Sequence, residues 1–247
     1  MRLLIERLEH CIDTSAFIPA TRYYRGVVVL GLISKALTVG RAVCALVDAG
    51  FPGEAFGLTR TLIDIYFTVR YFSNGDAESR AERFAMFFAK DHEGWTKIIQ
   101  KYYPGKTIDD TEYHRKSLES AREYKNPNQW TGLGDQTKQM ALEDDAYERD
   151  SAGIPIRAEF DYEVIYKWTS HYVHATVSGI EGHFVEAGVP YRIRGRIQSE
   201  AVRGDDALFN TLAYVSKIIV CAFRAMHDEQ PEEILKDFHE TMKLFAR

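Results

Sequence analysis

Residues 54–72 of this 247-residue chain, EAFGLTRTLIDIYFTVRYF, decide the fold. When these residues are placed about 100° apart on a helix, apolar side chains cover both of its sides. Leu58, Leu62, Ile65, Val69 and Phe72 form one stripe, and Phe56, Ile63, Phe67 and Tyr71 cover much of the opposite side. A helix that is hydrophobic nearly all round lies inside a protein. The stretch therefore predicts a buried helix within a helical bundle.

Two charged side chains interrupt the apolar surface of this helix. Arg60 and Asp64 lie at positions i and i+4, a spacing that allows a direct ion pair on one helix. Charges inside a packed core cost several kcal/mol unless they are paired, so they tend to be there for a reason. The pair therefore either fixes how the helices pack or belongs to a functional site.

A second helix is predicted from about Tyr162 to Val185, with polar residues along the edge of its apolar face. Its expected core stripe consists of Tyr162, Ile165, Tyr166, Thr169, Val173, Thr176, Val177, Ile180 and Phe184. Ser170, His174 and Glu181 lie beside this stripe, where a half-buried side chain can reach a ligand. An imidazole titrates near neutral pH, so His174 can serve as an acid, a base or a hydrogen-bond donor. A purely structural role for His174 is the alternative.

Further helices are predicted at residues 2–17, 21–49, 76–103, 204–228 and 231–246. The turn residues Gly50-Phe51-Pro52-Gly53 and Pro104-Gly105 separate some of them. Short turns favour antiparallel neighbours in a bundle. The sequence therefore predicts an all-α fold, a bundle of roughly eight to nine helices in a single domain that spans residues 1–247.

Residues 105–157 are expected to form a charged excursion from this bundle. Acidic and basic residues dominate it, and a run of charges usually forms a solvated face. The loop at residues 126–134 contains Trp130, whose ring needs burial. We therefore expect this loop to pack onto the bundle.

A short basic segment lies near residues 190–197. Arg192, Arg194 and Arg196 alternate there with other residues, a period-2 pattern that is typical of an extended segment. Guanidinium groups in such a patch can bind phosphates. Pairing with the acidic side chains of residues 105–157 is the alternative.

The overall composition favours a cytoplasmic protein. The net charge of −5 gives no global reason to expect nucleic-acid or membrane binding. The apolar stretch Val27–Val47 is broken by Lys35 and Arg41, so we expect a buried helix there and no membrane span. The cysteines are odd in number and far apart, which favours reduced thiols over disulfides; they are Cys11, Cys44 and Cys221.

Several established chemistries have no support in the sequence. The chain has no phosphate-binding P-loop, no glycine-rich dinucleotide motif and no G-x-S-x-G nucleophile turn. His171 and His174 form an H-x-x-H, but the Glu-x-x-His pairs of a di-iron bundle and cysteine pairs with zinc spacing are missing. We therefore expect neither a cofactor nor a metal site.

The residues of the two helices resemble a widespread bacterial all-helical family of unknown function. Its members typically carry an R-S/T-L-x-D/E helix and a Y-x-x-x-S-x-x-x-H helix. Residues 60–64 are similar to the first motif, and Tyr166, Ser170 and His174 are similar to the second. The resemblance covers about residues 30–185 and includes the segments 80–84 and 130–132.

That family is in turn similar to the HEPN domains, helical bundles that include metal-independent ribonucleases of toxin and phage-defence systems. In those enzymes an R-x(4–6)-H motif at a dimer interface supplies an arginine that stabilises the phosphate and a histidine that takes part in proton transfer. This chain departs from the motif, because no arginine lies four to six residues before a histidine. Lys167 is the nearest match, with six residues between it and His174, and becomes a candidate phosphate ligand. Arg60 would have to replace the missing arginine from another helix.

Two functions from different classes stay open. In the first, the chain is a non-catalytic helical binding or sensor module of a bacterial defence system, whose polar cluster holds the bundle together or captures a small ligand. In the second, it is a HEPN-like metal-independent ribonuclease. His174 is then the general acid or base, and Arg60 stabilises the phosphate. In that case Asp64 orients Arg60, and Ser170 assists.

Expectations about partners complete the sequence-based account. RNA or a nucleotide is the expected ligand, and a protein from the same operon is an expected partner. The long apolar helix over Val27–Val47 has sides that short neighbours cannot all cover. We therefore expect a homodimer, the commonest soluble assembly. No contact with a membrane is expected.

Overall fold

Helices account for almost all of the chain that the structure describes. The structure, a computed structural model, describes residues 23–73, 75–105, 130–131, 136–142, 158–174, 184–185, 192–193 and 204–226, together with residues 6, 115 and 119. Its first helices are α1 (Tyr23–Asp48), α2 (Pro52–Ser73), α3 (Ala77–Tyr102) and α4 (Gln136–Leu142). Helix α5 is built from the consecutive segments Ala158–Phe160, Asp161–Tyr166 and Lys167–Val173, of which the second is a π-helix. Two short strands, β1 (Phe184–Val185) and β2 (Arg192–Ile193), precede α6 (Gly204–Met226).

Helix α2 lies at the centre of this bundle, because each of the other described helices contacts it. Its large apolar residues are fully buried: Phe56, Leu62, Ile63, Tyr66, Phe67, Val69 and Phe72 have 0% of their surface exposed. Burying one large apolar side chain stabilises a fold by about 1.5–3 kcal/mol. The predicted buried helix at residues 54–72 and the all-α bundle class are thus confirmed.

Side chains at the start of α3 fix the N-termini of two helices. Asp76 accepts a hydrogen bond from the Ser79 amide at 3.1 Å and caps α3, at the residue where the sequence predicts this helix to begin. The carboxylate of Glu78 accepts hydrogen bonds from the amides of Tyr24 at 3.0 Å and Arg25 at 3.1 Å. A negative charge at a helix N-terminus is favourable, because the first amides have no partner within the helix. Helix α3 therefore also anchors the start of α1.

The helix predicted at residues 162–185 is shorter than expected. It ends at Val173, and the backbone of His174 is extended, with φ −98° and ψ 150°. Val173 is 50% exposed and does not continue the core stripe, so this part of the prediction is wrong. Valine loses side-chain freedom in a helix, which makes it a weak residue for the last turn. The predicted stripe residues Thr176, Val177 and Ile180, and the rim residue Glu181, lie outside the described residues.

Strand pairing replaces the last part of the predicted helix. Phe184 pairs with Ile193, and Val185 pairs with Arg192, in an antiparallel arrangement. Aromatic and β-branched residues fit a strand better than a helix when a partner strand is present. The extended segment predicted near residues 190–197 is confirmed at β2.

Trp130 is buried against the bundle, as predicted. It is 4% exposed. Its ring centre lies 5.5 Å from that of Tyr71, 5.7 Å from that of Phe72 and 5.1 Å from that of Phe84. The loop at residues 126–134 therefore packs onto α2 and α3 at its described part, Trp130 and Thr131.

The described residues contain six continuous helices, whereas eight to nine were predicted for the whole chain. The helices predicted at residues 2–17 and 231–246 lie outside the described residues, as does most of the charged excursion at 105–157. Helix α4 is the helix of this excursion that the structure describes, and its Met140 is 3% exposed. Met140 and Ala141 pack in the core on α2, whereas Lys138 and Gln139 of the same helix are exposed, so the charged excursion stays a prediction. A single domain for the whole chain stays a prediction.

Two segments, Tyr24–Asp48 and Gly204–Met226, are long and apolar enough to cross a membrane by length and composition alone. Whether Lys35 and Arg41 exclude such a span therefore stays a prediction. Core helices of a bundle pass the same test, and both segments contribute buried residues to the common core, among them Val29, Val43, Ile218 and Ala222.

We expect Trp130→Ala to lower the free energy of unfolding by roughly 3–5 kcal/mol, because it empties a site lined by three aromatic rings. Urea unfolding followed by circular dichroism measures this loss. Phe209→Ala is the matched control, because Phe209 is 71% exposed. Its truncation should change stability by less than about 0.5 kcal/mol. A Trp130 variant as stable as this control would contradict the packing of the loop.

Candidate functional site

The two helices that carry the predicted site residues, α2 and α5, lie side by side. The ring centre of Phe56 lies 4.7 Å from that of Trp168 and 5.4 Å from that of Tyr172. A Cβ atom at Gly57 would lie 3.4 Å from the Cβ of Tyr172. Helices α2 and α5 are therefore in close contact at Gly57.

A tyrosine of α5 links the two charges of α2. Nη2 of Arg60 donates a hydrogen bond to the hydroxyl of Tyr166 at 2.7 Å, and the guanidinium carbon lies 4.8 Å from the centre of the Tyr166 ring. The Tyr166 side chain is also hydrogen-bonded to the carboxylate of Asp64. The charge of Arg60 also acts on Asp64, so the phenol contacts two charges that interact with each other.

Burial makes Asp64 titrate near neutral pH. Desolvation raises the pKa of its carboxyl from 3.8 to about 6, while the charge of Arg60 and the hydrogen bond with Tyr166 lower it. Burial therefore outweighs both partners. Asp64 consequently changes its charge close to physiological pH.

The Arg60 side chain keeps one unused donor. Its Nε atom is buried and has no hydrogen-bond partner among the described residues, although the side chain as a whole is only half-buried. A buried N–H group without a partner costs about 1–3 kcal/mol. A ligand oxygen that accepts a hydrogen bond from this group would remove that cost.

The π-helix within α5 sets Tyr166 in place. Its hydrogen bonds run from residue i to residue i+5, as in the bond from the Lys167 amide to the Tyr162 carbonyl. Tyr162 and Tyr166 stack, with ring centres 5.2 Å apart and ring planes 18° apart. The hydroxyls of Thr169 and Ser170 donate to the Tyr166 carbonyl at 3.0 Å and 2.6 Å. Short π-helices occur frequently at functional sites.

A second polar cluster, formed by Asp161, Tyr214 and Lys217, holds the start of the same π-helix. Asp161 is 6% exposed and accepts hydrogen bonds from the Tyr214 hydroxyl at 2.9 Å and the Lys217 ammonium at 2.6 Å. Burial and the charge of Asp161 raise the pKa of Tyr214, so its phenol stays protonated and donates. The Lys217 ammonium also lies 5.0 Å from the centre of the Tyr214 ring. This cluster ties α5 to α6.

The sequence-based prediction missed part of both clusters. It assigned Tyr166 to the core stripe of α5 and overlooked its hydroxyl. It did not single out Asp161 or Lys217. Asp161 is an acidic residue at the start of an apolar stripe, and Lys217 interrupts the apolar run of α6. A charge on an apolar face signals a buried partner, and this signal could have identified both residues.

The structure does not bring the predicted catalytic residues together as a set. Ser170 uses its hydroxyl on the backbone of α5, as described above. His174 is exposed at the end of α5, where its backbone amide donates to the Ser170 carbonyl at 3.0 Å. Within the described residues, neither side chain makes a hydrogen bond or ion pair with Arg60 or Asp64. The cluster that the structure assembles is therefore Arg60, Tyr166 and Asp64.

The candidate phosphate ligands are partly described. Lys167 is exposed and pairs with Glu163, one turn earlier on α5, so its charge already has a partner. Arg192 lies in β2, and Arg194 and Arg196 lie outside the described residues. Phosphate binding by these arginines stays a prediction. In the part of the chain that the structure describes, no group of three or more His, Cys, Asp or Glu residues could hold a metal ion.

These features define an all-α bundle whose central helix shares a polar cluster with its neighbour. The sequence pattern of DUF5677, a family of unknown function, matches residues 26–188, which is more than half of the chain. The chain belongs to this family. Helix α6 lies outside the matched residues, although it packs against α2. Comparison of the sequence with curated proteins and with solved structures gave no match.

Asp64→Asn tests the raised pKa of the Asp64 carboxyl. The folded state binds this proton more tightly than the unfolded state does. Protonated Asp64 therefore stabilises the fold at low pH, and this contribution is lost as the pH rises through about 6. Relative to wild type, the variant should gain about 2 kcal/mol of stability between about pH 4 and about pH 7. Urea unfolding at each pH measures the difference, and a difference that stays constant over this range would contradict the raised pKa.

Proposed function

We propose that this chain is a non-catalytic helical binding or sensor module whose Arg60, Tyr166 and Asp64 cluster captures a small ligand with acceptor oxygens. The buried Nε of Arg60, which has no partner among the described residues, carries this proposal. The Arg60 side chain as a whole is half-buried, so part of it is exposed to solvent. A phosphate or carboxylate would accept charge-assisted hydrogen bonds from it. A nucleotide or RNA supplies such oxygens.

Ligand capture would alter the contacts that hold α5. Nη2 of Arg60 donates to Tyr166 in the free protein, and a ligand oxyanion would compete for this donor. Asp64 would then lose part of the positive charge that lowers its pKa. Since this pKa is already about 6, the carboxyl would take up a proton near neutral pH. Binding at α2 would thereby change the state of α5, as a sensor requires.

A HEPN-like metal-independent ribonuclease that uses Arg60 and His174 is the second candidate. The observation that favours it is the exposed His174 at the end of α5, the helix that binds Arg60. An exposed imidazole is accessible to an RNA substrate and can serve as an acid or a base. The lack of a hydrogen bond between His174 and Arg60 among the described residues favours the non-catalytic function instead, because catalysis needs both side chains at one phosphate.

We further propose that the protein works in the cytoplasm as part of a bacterial, phage-defence system, with a protein partner from the same operon. The resemblance to HEPN-like helical families supports this context. The odd number and wide spacing of the cysteines, of which Cys44 and Cys221 are buried, support a reducing compartment. The location, the system and the partner all await direct tests.

We also propose a homodimer, for which α3 offers the best surface. Trp95, Ile98 and Tyr102 are spaced three and four residues apart and are 57%, 57% and 67% exposed. An exposed apolar stripe of this kind is typical of an interaction surface. Helix α1 was the expected surface, but Val27 is its only exposed large apolar side chain among the described residues. The neighbouring helices cover α1 more completely than the sequence suggests.

Isothermal titration with adenosine monophosphate, inorganic phosphate and a short single-stranded RNA tests ligand capture. We expect at least one probe to bind the wild-type chain. Arg60→Ala should weaken its affinity by at least about tenfold, because a hydrogen bond to a charged group contributes about 1.5–3 kcal/mol. Arg41→Ala removes an exposed arginine of α1 and should leave the affinity unchanged. The absence of binding for every probe, or an equal loss in both variants, would contradict the proposal.

An RNA-cleavage assay in the presence of a metal chelator separates the two functions. We expect no cleavage above that of buffer without protein. His174→Ala and His171→Ala form a matched pair, because both histidines are exposed near the end of α5. Cleavage that His174→Ala abolishes and His171→Ala retains would overturn the non-catalytic function in favour of the ribonuclease.

A further inference from the structure

Two polar clusters hold the two ends of the π-helix of α5. Asp161, its first residue, is bound by Tyr214 and Lys217 of α6. Tyr166, its last residue, is bound by Arg60 of α2. Helices α2 and α6 also pack directly on each other. Both ends of the π-helix are therefore attached to the same pair of packed helices, α2 and α6.

The π geometry decides which way Asp161 and Tyr166 point. Hydrogen bonds from residue i to residue i+5 widen the turn, so Asp161 and Tyr166 leave the helix in directions much closer to each other than they would in an α-helix. In an α-helix, a separation of five residues would turn them about 140° apart. A regular α-helix could therefore not keep both attachments as they are. Because π-helices are rare, this one needs stabilising contacts, and the contacts of Asp161 and Tyr166 at its two ends supply them.

We infer that Asp161 and Lys217 are positioning residues for the cluster of Arg60, Tyr166 and Asp64. Their ion pair fixes the first residue of the π-helix and thereby keeps Tyr166 turned towards α2. This inference rests on the proposed ligand site and names the residues that hold it in shape. The buried position of Asp161 suits this role, since its carboxylate is bound by two donors from a single helix.

Loss of the Lys217 ammonium would release the π-helix. Asp161 would keep only the Tyr214 donor, and a buried carboxylate that lacks its cation is strongly unfavourable. The segment would then relax towards α-helical hydrogen bonds, which turns Tyr166 away from Asp64. The Asp64 carboxyl would lose a hydrogen bond that lowers its pKa, so it would titrate at a higher pH.

A carbon-detected NMR titration of the Asp64 carboxyl in the full chain tests this inference, with Asp64→Asn used to assign the signal. Lys217→Met removes the ammonium and keeps a long unbranched side chain. We expect it to move the titration midpoint of Asp64 upward by about one pH unit, with the helical circular dichroism retained. Lys97→Met is the matched control, because it removes an exposed lysine of α3 that pairs with Glu93, and it should leave the midpoint unchanged.

Conservative and milder variants complete the test. Lys217→Arg should restore the wild-type midpoint, because a guanidinium can still pair with Asp161. If Lys217→Met does not fold, Tyr214→Phe removes one hydrogen bond to Asp161 and should move the midpoint in the same direction by a smaller amount. A folded Lys217→Met or Tyr214→Phe variant with the wild-type midpoint would overturn the inference. The titration uses no ligand, so its outcome is independent of whether the binding probes are captured.

Discussion

The hydroxyl of Tyr166 is the contact on which the candidate site depends. It is hydrogen-bonded to Arg60 and to Asp64, so a neutral phenol from α5 joins two charges that α2 carries into a largely apolar contact. Burial already outweighs these partners in setting the pKa of Asp64. Without the hydroxyl, the carboxylate would be still harder to ionise. The contact between α2 and α5 therefore influences the protonation state of Asp64.

Neutral groups also satisfy buried charges elsewhere in the bundle. Arg70 is 4% exposed, and its Nη1 donates to the carbonyls of Met140 at 3.5 Å and Ala141 at 3.1 Å. These carbonyls belong to the end of α4, where a positive charge is favourable. The opposite charge, the carboxylate of Glu78, accepts hydrogen bonds from the backbone amides at the start of α1. Contacts between charges and helix ends thus attach α1 and α4 to the centre of the fold, in addition to the apolar core.

The features that the sequence predicted depend on neighbouring residues, and most of those that it missed depend on residues far apart in the chain. The apolar spacing within residues 54–72 and the capping aspartate at Asp76 are properties of neighbouring residues, so α2 and α3 were predictable. The partner of Arg60 is 106 positions away, and the Lys217 partner of Asp161 is 56 positions away. The spacing of neighbouring residues therefore gives no information about these contacts. The end of α5 differs, because the strand that pairs with Phe184 lies close along the chain and the sequence predicts that strand but not its pairing.

A double-mutant cycle between Arg60 and Tyr166 tests the role of this hydroxyl most directly. The free energy of unfolding would be measured for wild type, Arg60→Ala, Tyr166→Phe and the double variant. We expect a coupling energy of about 1–3 kcal/mol, because either substitution alone already removes their shared hydrogen bond. Additive effects, with a coupling energy within about 0.5 kcal/mol of zero, would contradict the claim that Tyr166 holds the charges of α2.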